Sequence, residues 1–581
     1  MEMLDFDIVI LGSGIAGFSA ALHASMATKE KERPQIAIIS KLHAMRSHSV
    51  AAEGGISGVL YAGENGDSQD MHAYDTIKGS DYLADQDAVK VLVKNAPREI
   101  SFFDHIGVPW NRDARGRISV RPFGGMSIPR TAFAADKTGF FMMRALYDEI
   151  LNFQSIKIFN EYFATSVITH KNKFLGISGF DMATGEHKFI RGKAGIIATG
   201  GGSRIHGFTT TSYSSTGDGT ALAYRAGASL KNMEFVQFHP TALVPSGILI
   251  TEAARGEGAY LLNSKGERFM ERYAKSKMEL APRDIVSRAI ITEIENGNGV
   301  KEGKNGLEHV HLDLRHLGDR IIDLKLPMIK DITTKMLGLD PAKELIPVRP
   351  AAHFTMGGIN TDISGRVISS EGKAMEGLWA IGECACVSVH GANRLGSNSL
   401  SQCAVWGRIA GEESAKFAGT HKMEYLKEGE MRAQEDMEEA QRILRSEGKN
   451  NPYDIRRELN ELMDKHMYVF KTERGIAQAR KGIAALRKSF GNIYLQDRGR
   501  SYNTNLRDVL EIGNLLDLAY LTVESAAVRK ESRGAHYLKE YQKRDDKNWL
   551  KHTVITRSGS GVKISYMPVK IDGWKPEERK Y

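Results

Sequence analysis

The first forty residues contain the pattern that most limits how this chain can fold. Two apolar, strand-like runs at residues 6–11 and 35–40 flank the turn Gly12-x-Gly14-x-x-Gly17 and a helical stretch. In such a turn Gly12 permits the tight bend, Gly14 lets the backbone approach a pyrophosphate, and Gly17 allows close packing of the helix. The pattern therefore predicts the first strand–helix–strand unit of a parallel, doubly wound sheet with a dinucleotide-binding turn.

The ends of the later strands refine this prediction. The second strand ends in Ser40-Lys41 and not in an acid that would hold a ribose hydroxyl, so a nicotinamide cofactor is not indicated. Two more strands are predicted at residues 194–199 and 377–382, the second followed by Glu383. Glu383 is a candidate for holding the polyol chain of a flavin, or it is a solvated strand end.

The 581 residues are long enough for several domains. We predict an α/β nucleotide-binding domain at 1–232 and 346–420, interrupted by an inserted α+β domain at 233–345. Long amphipathic patterns, for example at 433–447 and 508–530, predict a helical domain at 421–547. Residues 548–581 are expected to form a small tail of short strands and turns.

The composition excludes several classes of function. The chain has three cysteines, which excludes a disulfide scaffold and falls short of the four thiolates that an iron–sulfur cluster usually needs, so no metal site is predicted in this chain. The net charge is +8, but basic and acidic residues alternate, as at 29–32, so nucleic-acid binding is not expected. An anionic substrate and an acidic partner surface explain the charge better.

Residues 46–55, with the sequence Arg-Ser-His-Ser-Val-Ala-Ala-Glu-Gly-Gly, resemble the covalent-flavin motif of the succinate dehydrogenase and fumarate reductase flavoproteins. The resemblance covers nearly the whole chain. It includes residues 130–139, 215–219, 234–241, 531–536 and 544–546. In detail the chain is most similar to bacterial quinol:fumarate reductases, at residues 50–53, 347–350 and 396–400.

The resemblance implies that the domain at 1–232 and 346–420 binds FAD and that the insert is a capping, substrate domain. It implies a covalent bond between His48 and the 8α carbon of the flavin, and the alternative is a loop histidine that packs on the flavin without a bond. A neutral imidazole nitrogen is nucleophilic, which fits the first reading. The implied FAD-binding residues are Gly12, Gly14, Ala16, Gly17, Ser40, Lys41, Ser47, His48, Ser49, Ala52, Gly54, Gly55, Asp218, Glu383, Ser399 and Leu400.

A dicarboxylate substrate needs cations and hydrogen-bond donors at both ends. The implied substrate-binding residues are His239, Thr251, His353 and Arg394. Arg283 is the implied proton donor or acceptor, with Glu252 and Arg255 as its proton relay. The alternative for Glu252 and Arg255 is an ion pair that only stabilises the fold. The implied reaction interconverts succinate and fumarate by hydride transfer between a substrate carbon and N5 of FAD.

The family also implies an iron–sulfur subunit and membrane anchor subunits that handle quinone. No apolar run reaches the ~20 residues needed to span a bilayer, and residues 1–7 do not resemble a signal peptide. We therefore expect a peripheral position on the cytoplasmic side of the membrane, through partner subunits. Two rivals remain, an L-aspartate oxidase and a noncatalytic FAD-binding subunit. His48 and residues 533–546 disfavour the first, and the substrate and proton-donor residues disfavour the second.

Overall fold

The computed structural model describes residues 1–303, 306–559 and 561–580. Its N-terminal unit is the predicted one, with β1 (Glu2–Leu11), α1 (Ile15–Met26) and β2 (Ile36–Ile39). Strands β1 and β2 are parallel, with Ile8 paired to Ile36. Residues 8–11 of β1 and all four residues of β2 are buried because helices and a strand layer cover the two faces of the sheet, as is typical of parallel sheets.

The remaining elements follow in chain order. The first part continues with β3 (Ile56–Ser57), α2 (Gln69–Gly79), α3 (Gln86–His105), β4 (Val120–Arg121), β5 (Thr131–Ala132), α4 (Thr138–Ile150), β6 (Ile156–Phe159), β7 (Tyr162–His170), β8 (Lys173–Asp181), β9 (His187–Ile197), α5 (Asp218–Arg225) and β10 (Leu230–Lys231). The insert contains β11 (Val236–Leu243), α6 (Ala253–Gly256), β12 (Tyr260–Leu262), α7 (Met270–Tyr273), α8 (Arg283–Glu293), β13 (Val310–Asp313), α9 (Gly318–Lys325) and α10 (Pro327–Leu337).

The chain then returns to the first domain. This part contains β14 (Ile346–Thr355), β15 (Gly358–Asn360), β16 (Arg366–Ile368), β17 (Ala374–Ala380), β18 (Ala385–Cys386) and α11 (Asn398–Thr420). The C-terminal part contains α12 (Lys427–Leu444), α13 (Pro452–His466), α14 (Glu473–Phe490), α15 (Thr504–Val528), α16 (Asp546–Trp549), β19 (Lys551–Ser558) and β20 (Gly561–Pro568).

The main sheet has eight strands, and its parallel neighbours run in the order β6–β2–β1–β9–β17. Strands β7 and β8 extend it as an antiparallel hairpin on β9, and β16 pairs antiparallel with β17. Within the main sheet, Ile8 and Ile10 face a core shared with α1, α3 and α11, whereas Val9 and Leu11 face a core shared with β7, β8 and α15. The predicted α/β fold class is confirmed.

The insert, called the cap below, is built on a four-stranded antiparallel sheet in the order β11–β14–β13–β12. Strand β14 belongs to this sheet, although the predicted boundaries place it just beyond the insert; the boundaries themselves stay predictions. Strands β19 and β20 form a hairpin that extends a sheet through β10, with Leu230 opposite Ile555. Among the helices described by the structure, none is both long and apolar enough to cross a membrane.

Candidate active site

A cavity of about 660 Å³ runs from the carboxyl end of β1 to the cap. Ligands of doubly wound folds bind at this edge of the sheet, and the volume lies in the usual range for a cofactor site, roughly 300–1,000 Å³. Of the residues predicted to bind cofactor or substrate or to take part in catalysis, all except Gly17 and Arg255 line this cavity. The fold thus brings together segments that are far apart in the sequence.

The glycine turn has the geometry that a dinucleotide requires. Gly12 has φ of +116°, and a Cβ atom there would lie 2.2 Å from the carbonyl oxygen of Ala198. A Cβ atom on Gly17 would lie 2.0 Å from the carbonyl oxygen of Gly12, so this residue packs α1 against the turn and does not face the cavity. The Ile15 N–H donates to Ser49 Oγ at 3.2 Å, and the other N–H groups in the first turn of α1 lie at the positive end of the helix, where a pyrophosphate binds. The turn therefore fits the phosphates of FAD.

Lys41 lies on the cavity wall, but its ammonium is held by the protein. Its Nζ lies 2.6 Å from Asp218 Oδ2, 2.7 Å from Glu511 Oε1 and 2.7 Å from Thr216 Oγ1. Burial alone would lower the pKa of Lys41, but the two carboxylates outweigh it and raise the pKa. Lys41 and Asp218 therefore act together, as a charged cluster that fixes the loop after β2 against α5 and α15.

His48 is half-buried and faces the cavity, where burial and Arg204 lower its pKa to about 4. The N–H of Ser212 donates to its Nδ1 at 3.2 Å. An imidazole alkylated at Nε2 keeps its free lone pair on Nδ1, so this hydrogen bond fits a histidine bonded to flavin through Nε2. The sequence did not identify Ser212, which lies just before the quoted motif at 215–219 and gives no signal of its own.

Glu383 accepts hydrogen bonds at Oε1 from the Thr355 N–H at 3.0 Å and from the Thr355 hydroxyl at 3.1 Å. Burial raises the pKa of this carboxyl above its ordinary value. Glu383 is half-buried and lines the cavity, so it is a hydrogen-bonding group of the cavity wall and not a solvated strand end. It fits the hydroxyl-rich chain of a flavin.

The cap contributes an arginine–glutamate–arginine cluster. Arg283, the first residue of α8, donates from Nε to Glu252 Oε2 at 2.7 Å, and Arg255 Nη2 lies 3.7 Å from the same oxygen. The N–H of Gly124 donates to the other carboxylate oxygen at 2.5 Å. Burial alone would raise the pKa of Glu252, but Arg283 and Arg255 outweigh it and lower the pKa. The carboxylate is thus charged and lies between the two guanidinium groups, as the predicted relay requires.

Gln237 is a site residue that the sequence analysis missed. Its Oε1 accepts from Arg283 Nη1 at 3.1 Å, while its Nε2 donates to the carbonyl oxygen of Arg394 at 2.7 Å and to Asn393 Oδ1 at 2.9 Å. An arginine can only donate and a carbonyl can only accept, so these partners fix the orientation of the amide. Gln237 therefore links the two arginines. Its available signal was its position two residues before His239 in the motif at 234–241.

The predicted substrate residues lie together at this end of the cavity. The rings of His239 and His353 are 5.0 Å apart, and the Thr210 hydroxyl is 2.6 Å from His353 Nδ1. Burial, followed by Arg283, lowers the pKa of both histidines well below the ordinary value, so both are neutral near pH 7. Thr251 is buried and lies on the cavity wall beside Glu252.

Arg394 is a buried cation that no carboxylate among the described residues pairs with directly. It packs on the ring of Phe354, 4.4 Å from the centroid, and donates from Nη1 to Ser399 Oγ at 3.1 Å. Burial and Arg283 lower its pKa to about 9. Within the described ranges, its Nε and the Nε2 of His239 have no hydrogen-bond partner. These groups fit the oxygens of an anion.

The charges at the cap end balance a dianion. Arg255, Arg283 and Arg394 carry three positive charges and Glu252 one negative charge, which leaves +2. A dicarboxylate carries −2, so the cluster is electrostatically complementary to one such molecule. In the part of the chain that the structure describes, no group of His, Cys, Asp and Glu is arranged to hold a metal ion.

Comparison with known proteins identifies the family. The model described as "FAD binding domain" matches residues 7–400, and the one described as "Fumarate reductase flavoprotein C-term" matches residues 456–581. The chain is 41% identical to a fumarate reductase flavoprotein subunit of Mycobacterium tuberculosis, over 99% of each chain. It is 42% identical to a succinate dehydrogenase flavoprotein subunit of Rickettsia bellii, covering 97% of this chain and 95% of the relative.

A solved structure agrees with these relatives. An E. coli quinol fumarate reductase with a mutation in FrdA superposes with a TM-score of 0.95 at 38% identity, covering 100% of this chain and 99% of that one. The predicted family is confirmed: this chain belongs to the succinate dehydrogenase and fumarate reductase flavoproteins, FAD-dependent oxidoreductases that act on CH–CH donors.

Proposed function

We propose that this chain interconverts succinate and fumarate, with the dicarboxylate bound at the cap end of the cavity. The observation that carries the proposal is the net +2 charge of Arg255, Arg283, Arg394 and Glu252, next to a cavity that fits FAD. Both carboxylates of the substrate then find donors. Arg394 and His239 offer the Nε and Nε2 atoms that have no partner among the described residues, and Thr251 and His353 line the same wall.

Flavin bound in this cavity supplies hydride transfer to or from one substrate carbon. Arg283 then donates or accepts the proton at the neighbouring carbon. A guanidinium is a very weak acid, but hydride addition to fumarate builds up negative charge on the carbon next to a carboxylate. That carbon is basic enough to take a proton from the guanidinium. The same guanidinium stabilises the developing charge. Glu252 lies between Arg283 and Arg255, so Glu252 and Arg255 form the proposed proton relay to Arg283.

The cofactor is proposed to be covalently bound through His48. Two observations support the bond: the low pKa of His48, about 4, keeps the imidazole neutral, and the N–H of Ser212 occupies the Nδ1 lone pair.

Electrons are proposed to pass to or from an iron–sulfur subunit and a quinone pool. This rests on the quinol fumarate reductase among the relatives and on the cysteine count of this chain, which falls short of a cluster site. The chain would then lie peripherally on the cytoplasmic side of the membrane, through anchor subunits.

The test is an anaerobic titration of the purified flavoprotein. Succinate should bleach the flavin absorbance, and an excess of fumarate should restore it. L-Aspartate added in place of succinate is the control. Bleaching by L-aspartate without any response to succinate would favour an L-aspartate oxidase and would contradict the proposal.

A further inference from the structure

Near the C-terminal end of the described chain, a buried arginine lies between two carboxylates from different parts of the molecule. Arg579 Nη2 is 2.6 Å from Asp284 Oδ2 and 3.1 Å from Asp81 Oδ2. The exposed fractions of the three side chains are 9% for Arg579, 0% for Asp284 and 7% for Asp81. Asp284 is the second residue of α8 in the cap, and Asp81 lies between α2 and α3 of the FAD-binding part. Arg579 therefore joins the cap to the FAD-binding part.

The segment that carries Arg579 is held along its length. The Oε1 of Gln86 accepts from the N–H groups of Asp572 at 2.6 Å and Trp574 at 3.2 Å, and its Nε2 donates to the Trp574 carbonyl at 2.5 Å. Further along, Arg544 donates to the carbonyl oxygen of Glu577 at 2.9 Å. These hydrogen bonds hold residues 572–577 against the rest of the protein, so the fold determines the position of Arg579.

The charge distribution makes Arg579 the shared partner. Asp284 also accepts from Arg288 at 3.0 Å, and Asp81 accepts from Arg544 at 2.7 Å. Burial alone would raise the pKa of both carboxyls, but the nearby arginines outweigh it, and Arg579 has the largest lowering effect on each. The pKa of Asp81 is lowered to about 2, and that of Asp284 is lowered below its ordinary value. Without Arg579 the two buried carboxylates would repel each other across the junction between the cap and the FAD-binding part.

We propose that Arg579 is a positioning residue for Arg283. The inference rests on the proposed role of Arg283 as proton donor. Arg283 and Asp284 are consecutive at the start of α8, so any shift of Asp284 away from Asp81 moves the guanidinium of Arg283 relative to the cavity. A displacement of about 1 Å in a reacting group can cost about 10²-fold in rate.

The experiment compares the holoenzyme with Arg579→Ala, Arg579→Gln and Arg579→Lys. The matched control is Arg225→Ala, which removes an arginine that donates to Asp517 at 2.7 Å but is 40% exposed. We expect Arg579→Ala and Arg579→Gln to lower kcat for fumarate reduction, per bound flavin, by about 10-fold to 10²-fold. The solvent deuterium isotope effect on kcat should increase because proton transfer becomes slower, and Arg579→Lys should restore most of the rate. Arg225→Ala should leave both quantities unchanged.

Amide hydrogen exchange gives a readout that does not depend on turnover. Exchange over Arg283–Glu293 should be faster in Arg579→Ala than in the wild type and in Arg225→Ala. Wild-type kcat per flavin and an unchanged isotope effect in both Arg579→Ala and Arg579→Gln would overturn the inference. If fumarate fails to reoxidise the wild-type flavin, the result contradicts the proposed function and not the positioning role of Arg579. In that case hydrogen exchange alone tests the positioning role, and unchanged exchange in α8 of Arg579→Ala would overturn it.

Discussion

Replacing Gln237 with leucine is expected to slow catalysis and to destabilise the junction between cap and FAD-binding part. The substitution keeps a similar volume but removes the three hydrogen bonds to Arg283, Arg394 and Asn393. Gln237 is 0% exposed, so water cannot replace them freely. A hydrogen bond to a charged group contributes about 1.5–3 kcal/mol, and a buried polar group left unsatisfied costs about 1–3 kcal/mol.

These magnitudes translate into rates. If the bond to Arg283 is worth about 1.5–3 kcal/mol for holding the guanidinium in place, kcat should fall by roughly 10-fold to 150-fold. The unsatisfied Arg394 carbonyl and Asn393 amide oxygen should together lower the free energy of unfolding by about 2–6 kcal/mol. The assay is fumarate reduction by a reduced viologen dye, normalised to bound flavin, with urea unfolding in parallel.

Gln434→Leu is the matched control for this prediction. Gln434 is exposed on α12 and donates to Glu438, one helical turn away, so its loss should change neither quantity by more than a small amount. A Gln237→Leu variant with kcat within about twofold of the wild type would show that the arginines hold their positions without the amide, and would contradict this prediction.

Three further predictions follow from the other parts of the site. His48→Ser should retain FAD noncovalently and lose succinate oxidation more than fumarate reduction; acid precipitation and the two rates check this, and equal losses would contradict it. Lys41→Met should lower the free energy of unfolding by about 3 kcal/mol because it leaves two buried carboxylates unpaired, and an unchanged urea midpoint would argue against it. The folded-state pKa of Glu252 lies below its ordinary value of 4.5, so the stability from its charged form is present above that pH and is lost as the pH falls through the lower value. Glu252→Gln should lack this acid-dependent loss; unfolding curves between about pH 3 and pH 6 that run parallel for both proteins would exclude it.

The sequence predicts best the features that depend on local patterns. The unit β1–α1–β2 follows from apolar runs and a glycine turn within forty residues, and the burial of both sheet faces follows from the unbroken apolar runs at residues 8–11 of β1 and 36–39 of β2. The residues proposed for the site lie in motifs that resemble those of the family, and the structure brings nearly all of them to one cavity. Their individual roles stay predictions.

The sequence does not predict contacts that depend on tertiary packing. Gln237 has no motif of its own as a link between two arginines, because Arg283 contacts it only once the cap is folded and Arg394 only once the cap packs on the FAD-binding part. The same holds for Arg579, whose carboxylate partners lie about 500 and 300 residues earlier in the chain. Hairpin β19–β20 was expected only as tail strands, and its pairing with β10 is again long-range.

Arg283 is proposed to transfer the proton in the interconversion of succinate and fumarate. The most direct measurement is stopped-flow reoxidation of the prereduced flavoprotein by fumarate, with wild type and Arg283→Lys compared in a single turnover. Lysine keeps the charge but cannot contact Glu252, Gln237 and the substrate in the same fork geometry. We expect Arg283→Lys to retain FAD and to be reoxidised at least about 10²-fold more slowly than the wild type, which is the order of magnitude expected for a general acid. Reoxidation at the wild-type rate would contradict it.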